Sequence, residues 1–146
     1  MVRNIVLSRY NANPPPGALG LQQSRIIPGG PIYTNILDII DLCGVTTTTV
    51  RCIQHLQTYA IDDGDLRNWI TLAVKQNSFI NSQWCSLTKP HIIAACDAYE
   101  VNQSVSTGST TETIPRTFYV KFFVAKTGNT IVTVSFHPSY NAREEF

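Results

Sequence analysis

The chain has 146 residues, 43% hydrophobic and only 14% charged, with eleven Lys or Arg against ten Asp or Glu for a net charge of +1. That balance excludes a wholly disordered chain, a membrane span and a uniformly basic polyanion binder, whose affinity comes from many cations neutralising phosphates. Neutral polar residues take the place of charge: 16 Thr, 10 Ser, 10 Asn and 7 Gln.

Asn4–Tyr10 reads as a short strand, rich in β-branched and aromatic types. Five of the eight prolines and four of the eight glycines then fall between positions 14 and 31. Proline removes a backbone donor and fixes φ, so this stretch predicts an extended segment rather than a helix. Residues 1–31 are therefore expected to form an arm and linker, and residues 32–146 a single α+β domain.

Helical spacing begins at Tyr33, where Tyr33, Ile36, Leu37 and Ile40 follow the i, i+3, i+4, i+7 rule. Gly44 suits a left-handed helix end, and Thr46–Thr49 offers a choice of N-cap hydroxyls. Cys52, Leu56 and Tyr59 share a face of the next helix. Asp62 or Asp63 can cap a third, which carries Leu66, Ile70 and Ala73. Ser78–Cys85 reads as a connector. Ser86–Pro90 reads as a helix start, followed by a stripe of Ile92, Ala95, Cys96 and Tyr99.

Ser104–Thr113 is expected to be a surface loop. Phe118, Val120, Phe122 and Val124 then alternate with Thr117, Tyr119, Lys121 and Phe123, and Val132, Val134 and Phe136 alternate beyond Gly128. A three-residue turn, Thr127–Asn129, with a left-handed Asn129, puts Val124 opposite Val132, Phe122 opposite Val134 and Val120 opposite Phe136. Pro115 and Pro138 bracket the hairpin. The expected fold class is α+β: about four helices, at 33–43, 47–60, 64–77 and 88–101, then a C-terminal antiparallel β-hairpin that an N-terminal strand can join to make a small sheet.

The chemistry-bearing patterns are sparse. Cys52 with His55, and Cys85 with His91 and Cys96, lack the paired CxxC spacing of structural zinc. The same thiols and imidazoles, with His137, could in principle serve nucleophilic catalysis, but no GxSxG or cysteine signature accompanies them. The glycine pairs lack the phosphate-loop order. Asp62, Asp63 and Asp65 suit a helix start, and Arg143–Phe146 reads as a frayed tail. No catalytic set, metal site or cofactor is expected.

Residues 1–37 carry Arg3, Arg9 and Arg25 and no acid, while Arg116, Tyr119, Lys121 and Phe123 place cations beside rings on one hairpin face. These seven are the candidate partner or nucleic-acid contacts. Low charge with apolar hairpin faces points to a surface covered by other molecules. The leading expectation is a non-enzymatic, self-associating structural or interaction protein, such as a small viral capsid- or matrix-like protein. The alternative is a nucleic-acid-binding accessory protein touching an anionic partner through its arm, and a small Cys/His enzyme or zinc protein stands third. Ile5–Leu7 is too short for a signal core, so a cytoplasmic location, or the virion, and reduced cysteines are expected.

Overall fold

A computed structural model of the chain describes residues 4–15, 25–87, 89, 91–106 and 113–139, with backbone alone for 104–106 and 113–116. Its elements, in chain order, are β1 (Ile5–Val6), β2 (Ile26–Ile27), α1 (Ile36–Ile39), β3 (Gly44–Thr47), α2 (Val50–Thr58), α3 (Asp63–Gln76), β4 (Phe79–Ser86), β5 (Ile92–Ser106), β6 (Thr113–Val124) and β7 (Thr130–Pro138). The strands form one mixed sheet in the order β2-β4-β5-β6-β7-β3, with β1 off that path against β5. The pairs along β2-β4-β5-β6-β7 are antiparallel, whereas β3 runs parallel to β7 and β1 parallel to β5.

This sheet overturns the expected four helices and C-terminal hairpin. The connector at Ser78–Cys85 is strand β4, and the fourth helix proposed at 88–101 is the central strand β5. From Ile93 to Tyr99 every residue of β5 is buried. A strand covered on both faces reads as a continuous apolar run, so a helical stripe can be picked out of it as readily as any other subset. Three alanines with good helix propensity added to the false signal, and tertiary pairing on both edges overrode it.

The helices that do form keep their predicted caps. The Thr49 side chain accepts from Cys52 N at 3.1 Å and opens α2. Asp62 and Asp65 form a reciprocal capping box on α3, which ends at a left-handed Asn77. The first helix shrinks to Ile36–Ile39, and Gly44 begins β3 instead of closing a helix. Arg67 ties α3 to that short helix by donating to the carbonyls of Ile40 and Cys43.

The hairpin is longer and its register richer than expected. Val120 does face Phe136, but a bulge between Lys121 and Phe122 shifts the pairing, so that Phe122 faces Thr133 and Val124 faces Ile131. Val134 is the extra residue, which lets Thr133 and Val134 both be buried in succession. The turn consequently spans Lys126–Asn129, and its left-handed residue is Gly128, not Asn129. Pro115 and Pro138 lie within strands. Pro115 pairs with Ser104 beyond the end of β7, so among the described residues β6 has no second ladder there to interrupt.

The leading strand does enter the sheet. Leu7 N donates to Ile93 O at 2.9 Å and Arg9 N to Val124 O at 2.7 Å, so the segment wedges between the start of β5 and the end of β6. The loop expected at Ser104–Thr113 is strand at both ends, since β5 runs to Ser106 and β6 starts at Thr113; its residues 107–112, the predicted turn at Gly17–Gly20, the helix start at Thr88 and Pro90 and the tail Arg143–Phe146 lie outside the described residues.

Directly paired residues share a face, which defines two sides. On the first lie Trp84, Asp97, Tyr99, Val120, Phe122, Phe118 and Phe136. Trp69 of α3 packs edge-on against Phe118 and Phe136 at 4.9 and 5.2 Å, and these two rings stack at 5.0 Å. Such ring pairs add about 0.5–1.5 kcal/mol each beyond burial. The second face is built differently, and the site lies there. No helix among the described residues is long and apolar enough to cross a membrane.

Candidate functional site

Two rows of paired residues cross the second face, Asn81–Ala98–Lys121–Ser135 and Glu100–Tyr119–His137, with Gln83 opposite Cys96 and Cys85 opposite Ala94. Small residues (Ala94, Cys96 and Ala98) are fully buried, while Gln83, Tyr119, Lys121, Ser135 and His137 keep partial exposure. Small-beside-long alternation leaves room for the longer side chains to lie over the sheet.

Helix α2 completes the site from the β7 edge. The Thr49 hydroxyl donates to Val134 O at 3.0 Å, pinning the helix start to the bulge. Tyr59 then reaches Phe118 on the first face, while His55 meets His137 on the second at a ring separation of 5.7 Å. Tyr119 stacks on the same His137 at 5.0 Å, its hydroxyl 3.4 Å from Gln83 Nε2.

Between α2, β4, β6 and β7 lies a cavity of about 250 Å³. Arg25, Arg51, His55, Lys121 and His137 line it with Cys52, Cys85, Thr49 and Ser135, and among the described residues no carboxylate does. Every ionisable nitrogen on its wall can carry positive charge, in a site partly shielded from solvent, so Coulomb attraction for an anion is stronger there than on an open surface.

The protonation pattern follows from burial and proximity. The Cys96 thiol, by hydrogen bonding to Cys85, lowers the Cys85 pKa against the opposing effect of burial, and the Lys121 ammonium lowers it further. Burial raises Cys96 itself well above the usual thiol range. Burial pulls Lys121 down, yet the Cys85 thiolate beside it holds the ammonium above its ordinary value. Burial lowers His137, reinforced by His55, Lys121 and Arg51, while the Pro138 carbonyl opposes the change. Cys52 is pushed up to about 11 by burial alone.

Of the seven residues singled out as contacts, Arg25 and Lys121 line this cavity and Tyr119 stacks on its wall. Arg9 is exposed on a separate cavity with Tyr10, Tyr33 and Val124, its guanidinium beside Gly128. Phe123 is on the same face but only 2% exposed, so it offers no free ring for stacking. Arg3 lies outside the described residues, and Arg116 is described by its backbone in β6. Arg51, His55 and His137 were not among the seven. The i, i+4 spacing of Arg51 and His55, and the polar Ser135 and His137 in the alternation of β7, were the available signals. No group of three or more His, Cys, Asp or Glu among the described residues could hold a metal ion. Comparison with protein-family models, curated proteins and solved structures found no match.

Proposed function

We propose that the protein is a non-enzymatic binding module for single-stranded nucleic acid, which seats a phosphate in the second-face cavity. The observation that carries this reading is the cavity wall: five basic side chains, Arg25, Arg51, His55, Lys121 and His137, with no acid among the described residues that line it. The guanidiniums of Arg25 and Arg51 suit forked hydrogen bonding to phosphate, and Lys121 adds a point charge. The adjoining Tyr119–His137 pair supplies an aromatic surface for a base, a sequence-tolerant contact of about 1–3 kcal/mol. The modest net charge of +1 restricts the footprint to the few phosphates that reach the cavity.

The test is binding of a labelled single-stranded RNA to the full chain by fluorescence anisotropy across a salt series. The expected slope of log affinity against log salt corresponds to about two to three phosphates at ~0.7 per contact. Arg51→Gln and Lys121→Met each reduce it by roughly one contact's worth, whereas Arg9→Gln, on the separate cavity, leaves it unchanged. Absence of binding at low salt, or a slope indifferent to Arg51 and Lys121, refutes the reading.

A second reading, self-association, draws on β3, the last strand of the sheet order. From Cys43 to Val50 there is no charge and no proline, and Leu42 and Val50 flanking it are 84% and 72% exposed. Such an edge is unprotected against pairing with another chain. Assembly of copies through it would suit a structural, capsid- or matrix-like protein of the cytoplasm or virion. Light scattering should show a concentration-dependent oligomer that Thr46→Lys abolishes; a strict monomer removes this reading.

A further inference from the structure

The nucleic-acid reading gives no role to a thiol at the base of a cationic cavity, and that thiol is chemically distinct from the other three. All four cysteines are free. Cys43 sits against Gly128 O at 3.5 Å, and Cys52 is held protonated by burial. Cys96 is fully buried, its thiol donating to Ala94 O at 3.7 Å, and burial raises its pKa well above the usual thiol range. Cys85, 5% exposed, shares the cavity wall with two cations, Lys121 and Arg25, whose charges lower its pKa. A cationic neighbourhood favours the thiolate, which is the nucleophilic form.

We infer that Cys85 is a thiol–disulfide exchange site for an anionic low-molecular-weight disulfide of the glutathione type, whose carboxylates are met by Arg25 and Arg51. In the exchange, the Cys85 thiol gives its proton to solvent and the thiolate attacks one sulfur of the disulfide. A new S–S bond forms to Cys85 as the disulfide's own S–S bond breaks, and the departing half leaves as a thiolate that takes a proton from solvent. Cys85 is oxidised to the mixed disulfide and the departing half is reduced.

The product stops at the adduct for a geometric reason. Cys85 faces Ala94, so Cys96 lies two residues further along β5, a diagonal neighbour. Diagonal partners on adjacent strands stand roughly 7–8 Å apart, beyond the ~4.4–6.8 Å Cα separation a disulfide normally spans. Cys96 tunes Cys85 without resolving it.

The experiment is incubation of the folded full chain, without nucleic acid, with oxidised glutathione over a pH series, read by intact mass and peptide mapping. A single glutathione on Cys85 is expected, absent in Cys85→Ser and retained in Cys96→Ser. Lys121→Met keeps the thiol and is expected to move the midpoint of the pH–rate profile upward by about one unit, slowing the reaction roughly tenfold at pH values below both midpoints and about twofold at neutral pH. The groups shaping that profile are Cys96, Lys121, Arg25, Cys52, His55, Tyr119 and His137, which a Cys85→Ser control separates from reaction at other thiols. Modification of Cys43 or Cys52 with Cys85 untouched, an internal Cys85–Cys96 disulfide, or a Lys121→Met profile identical to wild type overturns the inference. Adduct formation needs no RNA, so its failure and failure of the RNA titration are separate results.

Discussion

Ser82 Oγ donates to Asp97 Oδ1 at 2.6 Å in the middle of the sheet, where both residues are essentially inaccessible to solvent. The same carboxyl accepts from Ile32 N at 3.1 Å and Tyr33 N at 3.0 Å, so one side chain of β5 fastens the segment entering α1 to the first face. Gly30 belongs to this junction: a Cβ there would stand 2.1 Å from Ser82 Oγ.

Asp97→Ala should therefore cost about 3 kcal/mol, since it orphans two backbone donors and a hydroxyl at roughly 1–3 kcal/mol for each buried unpaired group. Urea denaturation with an unchanged slope checks it. Burial raises the Asp97 pKa more than its three hydrogen bonds lower it. The folded value thus exceeds the unfolded one, so the associated stability is complete below pH 3.8 and lost as pH rises through the folded value. That loss should be missing from the pH–stability curve of Asp97→Ala.

Thr49 has two duties, capping α2 through Cys52 N and pinning it to the β7 bulge through Val134 O. Thr49→Ala should cost about 1–2 kcal/mol by thermal or chemical denaturation. The same change should weaken RNA binding severalfold, because Arg51 and His55 ride on the helix it anchors. Asp62→Ala, which breaks only the capping box of α3, should cost about 1 kcal/mol and leave RNA affinity unchanged.

His137 is neutral in the fold at neutral pH, because burial and its cationic neighbours disfavour the imidazolium. With its folded pKa below the unfolded 6.5, its stabilising contribution is present above pH 6.5 and lost as pH falls through the folded value. Thermal melts from pH 7.5 to 5 should show this loss, and His137→Phe should remove it. A phosphate in the cavity favours the charged ring, so RNA affinity should rise over the same fall in pH, a trend that His137→Phe should reduce.

Thr133 Oγ1 is buried at the bulge with no hydrogen-bond partner among the described residues. Thr133→Val replaces that hydroxyl with a methyl group of similar size and should raise stability by about 1 kcal/mol, read as a higher urea midpoint.

The parts of the fold legible in the sequence were those set by neighbours close along the chain. The caps at Thr49 and Asp62 were legible because a side chain reaches only two or three residues ahead. The alternation in 117–124 was legible because period two survives wherever the faces differ. Lys121, Tyr119 and Arg25 could be singled out by residue type, although what they surround could not. Register near the turn was misread because the bulge at Val134 adds a residue that no local pattern announces.

By itself, then, the amino-acid order determined two capped helices, a β-rich C-terminal segment and a chain sparing with charge, because propensity, capping and alternation act over a few residues. Only the tertiary structure decided that Ile92–Ser106 is a central strand, since burial on both faces erases the period that would distinguish strand from helix. It likewise decided the site: Arg25, Arg51, Cys85, Lys121 and His137 come from five separate segments, and the convergence of their charges is a property of sheet order and of α2 packing on the β7 edge.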